Sequence, residues 1–102
     1  MNNPKFSFTA KVWQYPGHAA WHFVTLPQDY ADEIKIIAAP YARGFGSVRV
    51  EAKIGETAWR TSIFPDAKSG SYFLPIKKAV RDTCNLSAGD SANITIILID
   101  LA

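Results

Sequence analysis

The sequence is short of the residues that most readily reveal chemistry. It has one cysteine, Cys84, one methionine, Met1, and two histidines, His18 and His22. A single thiol excludes an intramolecular disulfide and a cysteine metal cluster. The histidines lie four apart, but across a turn and a strand rather than along a helix. A zinc site needs three or four ligands, and no Cys or carboxylate cluster lies nearby, so both read as surface or edge residues. No metal and no cofactor is called for. No stretch approaches the roughly 18 apolar residues of a membrane span, and Met1 to Lys5 does not resemble a secretion signal. The default compartment is a reducing cytoplasm, with no membrane partner. Charge of one sign is also lacking: 11 Lys and Arg face 9 Asp and Glu, a net +2, which does not mark a dedicated nucleic-acid binder.

What is present is globular. In 102 residues, 48% are hydrophobic and 20% charged, which suits one domain over 1–102 with a flexible lead-in over 1–4. Three Trp, four Tyr and six Phe supply much of the apolar surface a small core can bury. Eight basic residues fall between Arg43 and Arg81, against Glu51, Glu56 and Asp66. A weakly basic face is one reading, and a solvated mixed surface is the preferred one.

The periodicity is mostly that of strands. Phe6, Phe8, Ala10 and Val12 alternate with Ser7, Thr9, Lys11 and Trp13. Tyr15-Pro16-Gly17-His18 is a turn, and Ala20 to Leu26 returns, so the pair reads as a hairpin. Pro27 opens a helix with Asp29, Asp32 and Glu33 early, and with Tyr30, Ile34, Ile37 and Ala38 as its buried stripe. Ala39-Pro40 ends it, and Arg43-Gly44-Phe45-Gly46 is a loop. Ser47 to Ile54 and Thr57 to Phe64 form the best-defined hairpin, around Gly55-Glu56 as a type II′ turn. That register pairs Ile54 with Thr57, Ala52 with Trp59, Glu51 with Arg60 and Val48 with Ile63, and makes Glu51 and Arg60 an outward salt pair. After a polar loop over Pro65 to Ser71 and a short strand at Tyr72 to Leu74, Pro75 opens a second helix. Ile76, Ala79, Val80 and Thr83 face inward there, and Lys77, Lys78 and Arg81 outward. Asn85 to Asp90 turns into a last strand, Ser91 to Ile99, apolar on both faces near its end as a central strand should be.

The two halves share an order: strand, Leu-Pro, helix, Gly, strand. Leu26-Pro27 leads to Gly46 and Val48–Ile54, and Leu74-Pro75 leads to Gly89 and Ala92–Ile99. Such a repeat suits a pseudo-twofold barrel with two helical caps. The fold class is therefore mainly β: a small closed or split barrel of six to seven strands with two capping helices.

Several segments resemble one family. They are Trp21-His22-Phe23-Val24 with Leu26-Pro27, Val48-Arg49-Val50 with Trp59-Arg60-Thr61-Ser62, the run Tyr72-Phe73-Leu74-Pro75-Ile76-Lys77-Lys78-Ala79-Val80-Arg81, and Leu86 with Gly89-Asp90 before an Ile-rich strand. Together they resemble the bacterial and archaeal domain-of-unknown-function family 1905, from Phe6 to about Asp100. The resemblance implies a double-split β-barrel related to AbrB-like transcription factors. It implies no catalytic residue, because the family has no established activity.

Nucleophilic motifs are missing. Cys84 lies at a helix end near the buried side. Nothing places a base beside it, and of the serine candidates Ser62, Ser69 and Ser71, the run Ser69-Gly70-Ser71 lacks the strand-to-helix elbow of a serine hydrolase. Lys68-Ser69-Gly70 and Gly44-Phe45-Gly46 do not match a phosphate loop. Asp90 reads as a turn residue bonding its own backbone. One constellation stands out: Trp13, Tyr15, Trp21, Trp59 and Tyr72, with Arg49, Arg60 and Arg81 supplying charge, could line a ligand pocket. The competing reading makes these aromatics core. The expected function is a non-catalytic module that binds a small ligand or a protein partner, and AbrB-like nucleic-acid binding is the alternative.

Overall fold

The structure, a computed structural model, describes residues 3–18, 20–41 and 46–101. The elements run β1 (Lys5–Lys11), β2 (Trp13–Gln14), β3 (His22–Thr25), α1 (Gln28–Ala38), β4 (Val48–Ile54), β5 (Thr57–Pro65), β6 (Tyr72–Pro75), α2 (Lys78–Cys84) and β7 (Ser91–Leu98). Seven antiparallel strands form one curled sheet in the order β1-β7-β4-β5-β6-β3-β2. The first and last strands of that order are separated in sequence by Val12 alone, so the sheet curls until its two ends meet in one stretch of chain.

The expected hairpin between the first two strands forms only at its tip. Trp13 pairs with Phe23 and Gln14 with His22, while Lys5 to Lys11 pair with β7. The cause lies at Val12, whose N–H donates to the Asp90 carbonyl and whose carbonyl accepts from Gly89 N–H. The chain changes partner at this point. β5 does the same, pairing with β4 as far as Ile63 and with β6 at Phe64 and Pro65. Exchanging β1/β2 with β5, β3 with β6 and β4 with β7 maps the pairing pattern onto itself, as the internal repeat requires.

The β4–β5 register is the expected one at every pair, including Glu51 with Arg60. Gly55 has φ of +59° and Glu56 is not among the positive-φ residues, which fits a type II′ turn. Glu51 and Arg60 face each other, yet among the described residues no ion pair within 4.0 Å joins them, so the expected salt pair is a register neighbour only. Two long, hydrated side chains gain too little in water to hold one geometry.

Inward-facing residues of all the longer strands fill the core. Val24, Val50, Ile63, Leu74, Ile96 and Leu98 are fully buried, each worth about 1.5–3 kcal/mol on removal from water. α1 follows Pro27 and buries Ala31, Ile34 and Ala38, while Tyr30, tilted against Phe6 at 5.3 Å, and Ile37 are only partly buried. α2 differs from the expectation. Pro75 belongs to β6, paired with Phe23, and Ile76 N–H donates to the His22 carbonyl, so Ile76 is buried before the helix begins. The helix then buries Val80, with Cys84 and Leu86 packed partly beside it, and leaves Ala79 and Thr83 exposed. It stops at Asn85 in the left-handed region, where Leu86 N–H closes back onto the Arg81 carbonyl.

β7 lies between β1 and β4, as its two-sided apolar run suggests. At the other end of the chain, Leu98 N–H donates to the Pro4 carbonyl, which ties residue 4 to the sheet. Of the loop expected at 43–46, residues 43–45 lie outside the described residues. Among the described residues no helix is long and apolar enough to cross a membrane.

Candidate functional site

The site grows from the turn between β2 and β3. Pro16 presets φ, Gly17 takes φ of +86°, and His18 N–H closes onto the Tyr15 carbonyl at 3.2 Å, the pattern of a type II turn. Tyr15 N–H then donates to the Trp21 carbonyl at 2.8 Å. These bonds bring Tyr15, His18 and Trp21 to one end of the strand pair. The His18 ring stacks on Trp21 with centroids 4.1 Å apart and planes 17° apart, and Tyr15 tilts against Trp21 at 5.6 Å.

Strand alternation extends the cluster. Val24 and Leu74 point into the core, so their neighbours Phe23 and Phe73 point outward. Trp13 lies opposite Phe23 and shares that face. Its ring packs 5.2 Å from Phe23 and 4.8 Å from Phe73, and its Nε1–H donates to Thr25 Oγ1 at 3.0 Å. Each such ring pair adds roughly 0.5–1.5 kcal/mol beyond area burial. Even so, Tyr15, Trp21 and Phe64 remain 43%, 50% and 47% exposed.

Beside this patch runs an open groove of about 620 Å³, with Trp21, His22 and Phe23 on one side and Lys77, Lys78 and Arg81 on the other. Arg81 is built into it: Nε donates to the Ile76 carbonyl and Nη2 to the Ala20 carbonyl, which joins α2 to the turn. Lys78 shares its charge with Asp82 at 2.8 Å, an exposed i,i+4 pair. Such a pair contributes only a few tenths of a kcal/mol, so Lys78 can exchange Asp82 for another anion at little cost.

The eight candidate residues divide. Trp13, Tyr15 and Trp21 share the aromatic face, and Arg81 stands across the groove from Trp21. Tyr72 and Trp59 lie in the core at 4% and 7% exposure. Burial pushes the Tyr72 phenol above its ordinary range, and the Trp59 indole N–H is buried without a partner among the described residues. Arg49 reaches Asp100 at 3.9 Å and Ser62 at 3.4 Å, and Arg60 is exposed opposite Glu51, both outside the groove. By sequence His18 is weighed only as a metal ligand, and Phe23, Phe73, Lys77 and Lys78 fall in no pocket. For the two phenylalanines, strand parity against Val24 and Leu74 was the available signal. No local signal announces the His18 stack.

The remaining candidates have structural tasks. Ser71 is buried and donates to the Leu26 carbonyl at 2.7 Å, Ser69 Oγ accepts from Ser71 N–H, and Asp90 accepts from Ser87 N–H within its own turn. Asp66 accepts from Ser69 and Lys68, and the Ser69 bond holds its carboxyl below the ordinary range. Among the described residues no three His, Cys, Asp or Glu side chains gather as metal ligands do. A second shallow site of about 700 Å³ lies over β1, β7 and β4, lined mainly by polar residues such as Ser7, Thr9, Asn93 and Thr95.

No curated protein matches the chain. The profile of the family described as Domain of unknown function (DUF1905) matches residues 8–96, nearly the whole of the fold just described, and the chain belongs to that family.

Proposed function

We propose that this protein is a cytoplasmic, non-catalytic binding module whose site is the aromatic outer face of β2, β3 and β6 together with the groove beside Lys77, Lys78 and Arg81. One observation carries the reading: here large aromatic side chains gather without being buried, and cations stand next to them. Exposed rings of this kind are the usual mark of a surface that meets something else. The chemistry of the rim favours a partner with a flat ring and a negative group. The double-split form of the barrel is supported by the two stretches, β1/β2 and β5, that change partner along their length.

NMR titration with naphthalene-1-sulfonate and with neutral 1-naphthalenemethanol tests the site. Shifts are expected at the Trp13 and Trp21 indoles and at the backbone of residues 75–81, larger for the sulfonate. Shifts concentrated on β1, β7 and β4 would contradict the assignment.

A further inference from the structure

The aromatic face is a continuous patch in which Phe23 packs against Tyr15, Trp13 and Phe73 at 6.3, 5.2 and 5.7 Å, with Trp21 at the groove end. From the groove outward, Trp21, Tyr15, Trp13 and Phe73 follow one another with ring centroids 5.6, 6.5 and 4.8 Å apart. Phe64 stands opposite Phe73 on the next strand, half exposed. At the groove end His18 lies flat against one face of Trp21, which fixes the indole as a platform. Lys77, Lys78 and Arg81 stand at that same end.

Different partners would use this surface differently. A neutral sugar or peptide would meet the rings and leave the cations without counter-charge. A peptide would match the surface only if it carried aromatic and acidic side chains together in the right order, whereas its backbone alone supplies neither. A nucleic-acid duplex hides its base faces inside its own stack. An unpaired strand offers both chemistries at once: bases whose faces stack on aromatic side chains with little dependence on sequence, and phosphates for the neighbouring cations.

Resting on the site proposed above, we infer that the aromatic outer face binds single-stranded nucleic acid, with a base stacked on Trp21 and the adjoining phosphates beside Lys77 and Lys78. Arg81 is a positioning residue, because its donors hold the Ile76 and Ala20 carbonyls. The small number of cations fixes the salt response. Lys77 and Lys78, each releasing about 0.7 of a counterion from a single strand, set a slope of log K against log salt of about −1.4, and the remaining charge of Arg81 caps it near −2. Stacking, which salt does not screen in this way, supplies the rest.

Fluorescence anisotropy of an end-labelled oligothymidylate of about ten nucleotides against the full chain tests this. Saturable binding is expected at low salt, with a slope no steeper than about −2. Trp21→Ala is expected to weaken it about tenfold or more, and Trp21→Phe to restore most of the loss. The Lys77→Gln, Lys78→Gln double variant is expected to flatten the salt slope by half or more. A duplex of the same length, and thymidine monophosphate as competitor, are each expected to bind at least tenfold more weakly. Absence of binding, equal affinity for the duplex or the monophosphate, or an unaffected Trp21→Ala variant would overturn the inference. Quenching of tryptophan emission in the unmodified protein by the unlabelled strand is expected and needs no variant, and its absence would also overturn the inference. If the strand fails while naphthalene-1-sulfonate still shifts the aromatic face, only the nucleic-acid inference falls. If neither perturbs that face, the site falls with it.

Discussion

Outside β1, β7 and β4 the chain places Ser7, Thr9, Asn93 and Thr95, and outside β2, β3 and β6 it places Trp13, Phe23 and Phe73. Both surfaces belong to one curled sheet and cover one apolar interior. On the polar side the side chains satisfy one another: the Ser7 and Thr95 hydroxyls are bonded at 2.9 Å, and Thr9 donates to Asn93 at 2.6 Å. On the aromatic side the rings cover one another only in part, and Tyr15 and Trp21 stay about half exposed. The fold needs only the inner residues of either region. The outer residues can therefore differ, and the proposed binding site rests on that difference.

Substitutions beneath and upon each region test that division. The largest effects belong to the shared interior. Ile96→Ala under the polar side and Leu74→Ala under the aromatic side remove fully buried side chains, and each is expected to cost about 2–5 kcal/mol in chemical denaturation. Thr95→Ala, one residue from Ile96 but outward, is expected to cost less than about 1 kcal/mol. Equal losses at Ile96 and Thr95 would dissolve the inner–outer contrast.

Gly89→Val acts where the two regions join. Gly89 has φ of +96°, and its N–H bonds Val12, the residue between β1 and β2. Nothing lies within 4 Å of where a Cβ would sit, so backbone strain alone is expected to lower stability, by about 1–2 kcal/mol. An unchanged melting temperature would refute the assigned strain. Trp21→Ala is expected to cost about 1 kcal/mol, less than either core truncation, because it removes a half-exposed ring that packs on His18 and Tyr15.

The smallest effect is confined to alkaline pH. Burial raises the Tyr72 phenol above its unfolded value. The unfolded chain therefore releases this proton first, and stability falls as pH rises from near 10 toward the folded pKa. Below that window the contribution is constant. Tyr72→Phe is expected to flatten that alkaline decline in a series of denaturation midpoints against pH, and an identical decline in the variant would contradict the assignment.

Local patterns made some of this legible in the sequence. The β4–β5 hairpin follows from strict alternation and a Gly-first turn, and β7 from apolar residues on both faces. The division of the first strand between β7 and β3 was not legible, because it depends on the Gly89-Asp90 turn, far along the chain, bonding Val12. α2 was misplaced for a related reason: Pro75 can start a helix or end a strand, and only its pairing with Phe23 decides. The candidate site was half legible. Trp21 and Arg81 line one groove and Trp13 joins Trp21 through Tyr15, whereas Trp59 and Tyr72 share the aromatic type but have inward parity. Composition counts aromatics, and only strand register sorts them into inside and outside.

The three tryptophans report that sorting directly. Paramagnetic relaxation of the indole N–H signals by a soluble gadolinium chelate measures how near each comes to solvent. The expected order is Trp21 strongest, Trp13 intermediate with its Nε1–H held by Thr25, and Trp59 weakest. Relaxation of Trp59 as strong as that of Trp21, or protection of Trp21 to the level of Trp59, would contradict a closed interior beneath a free aromatic face.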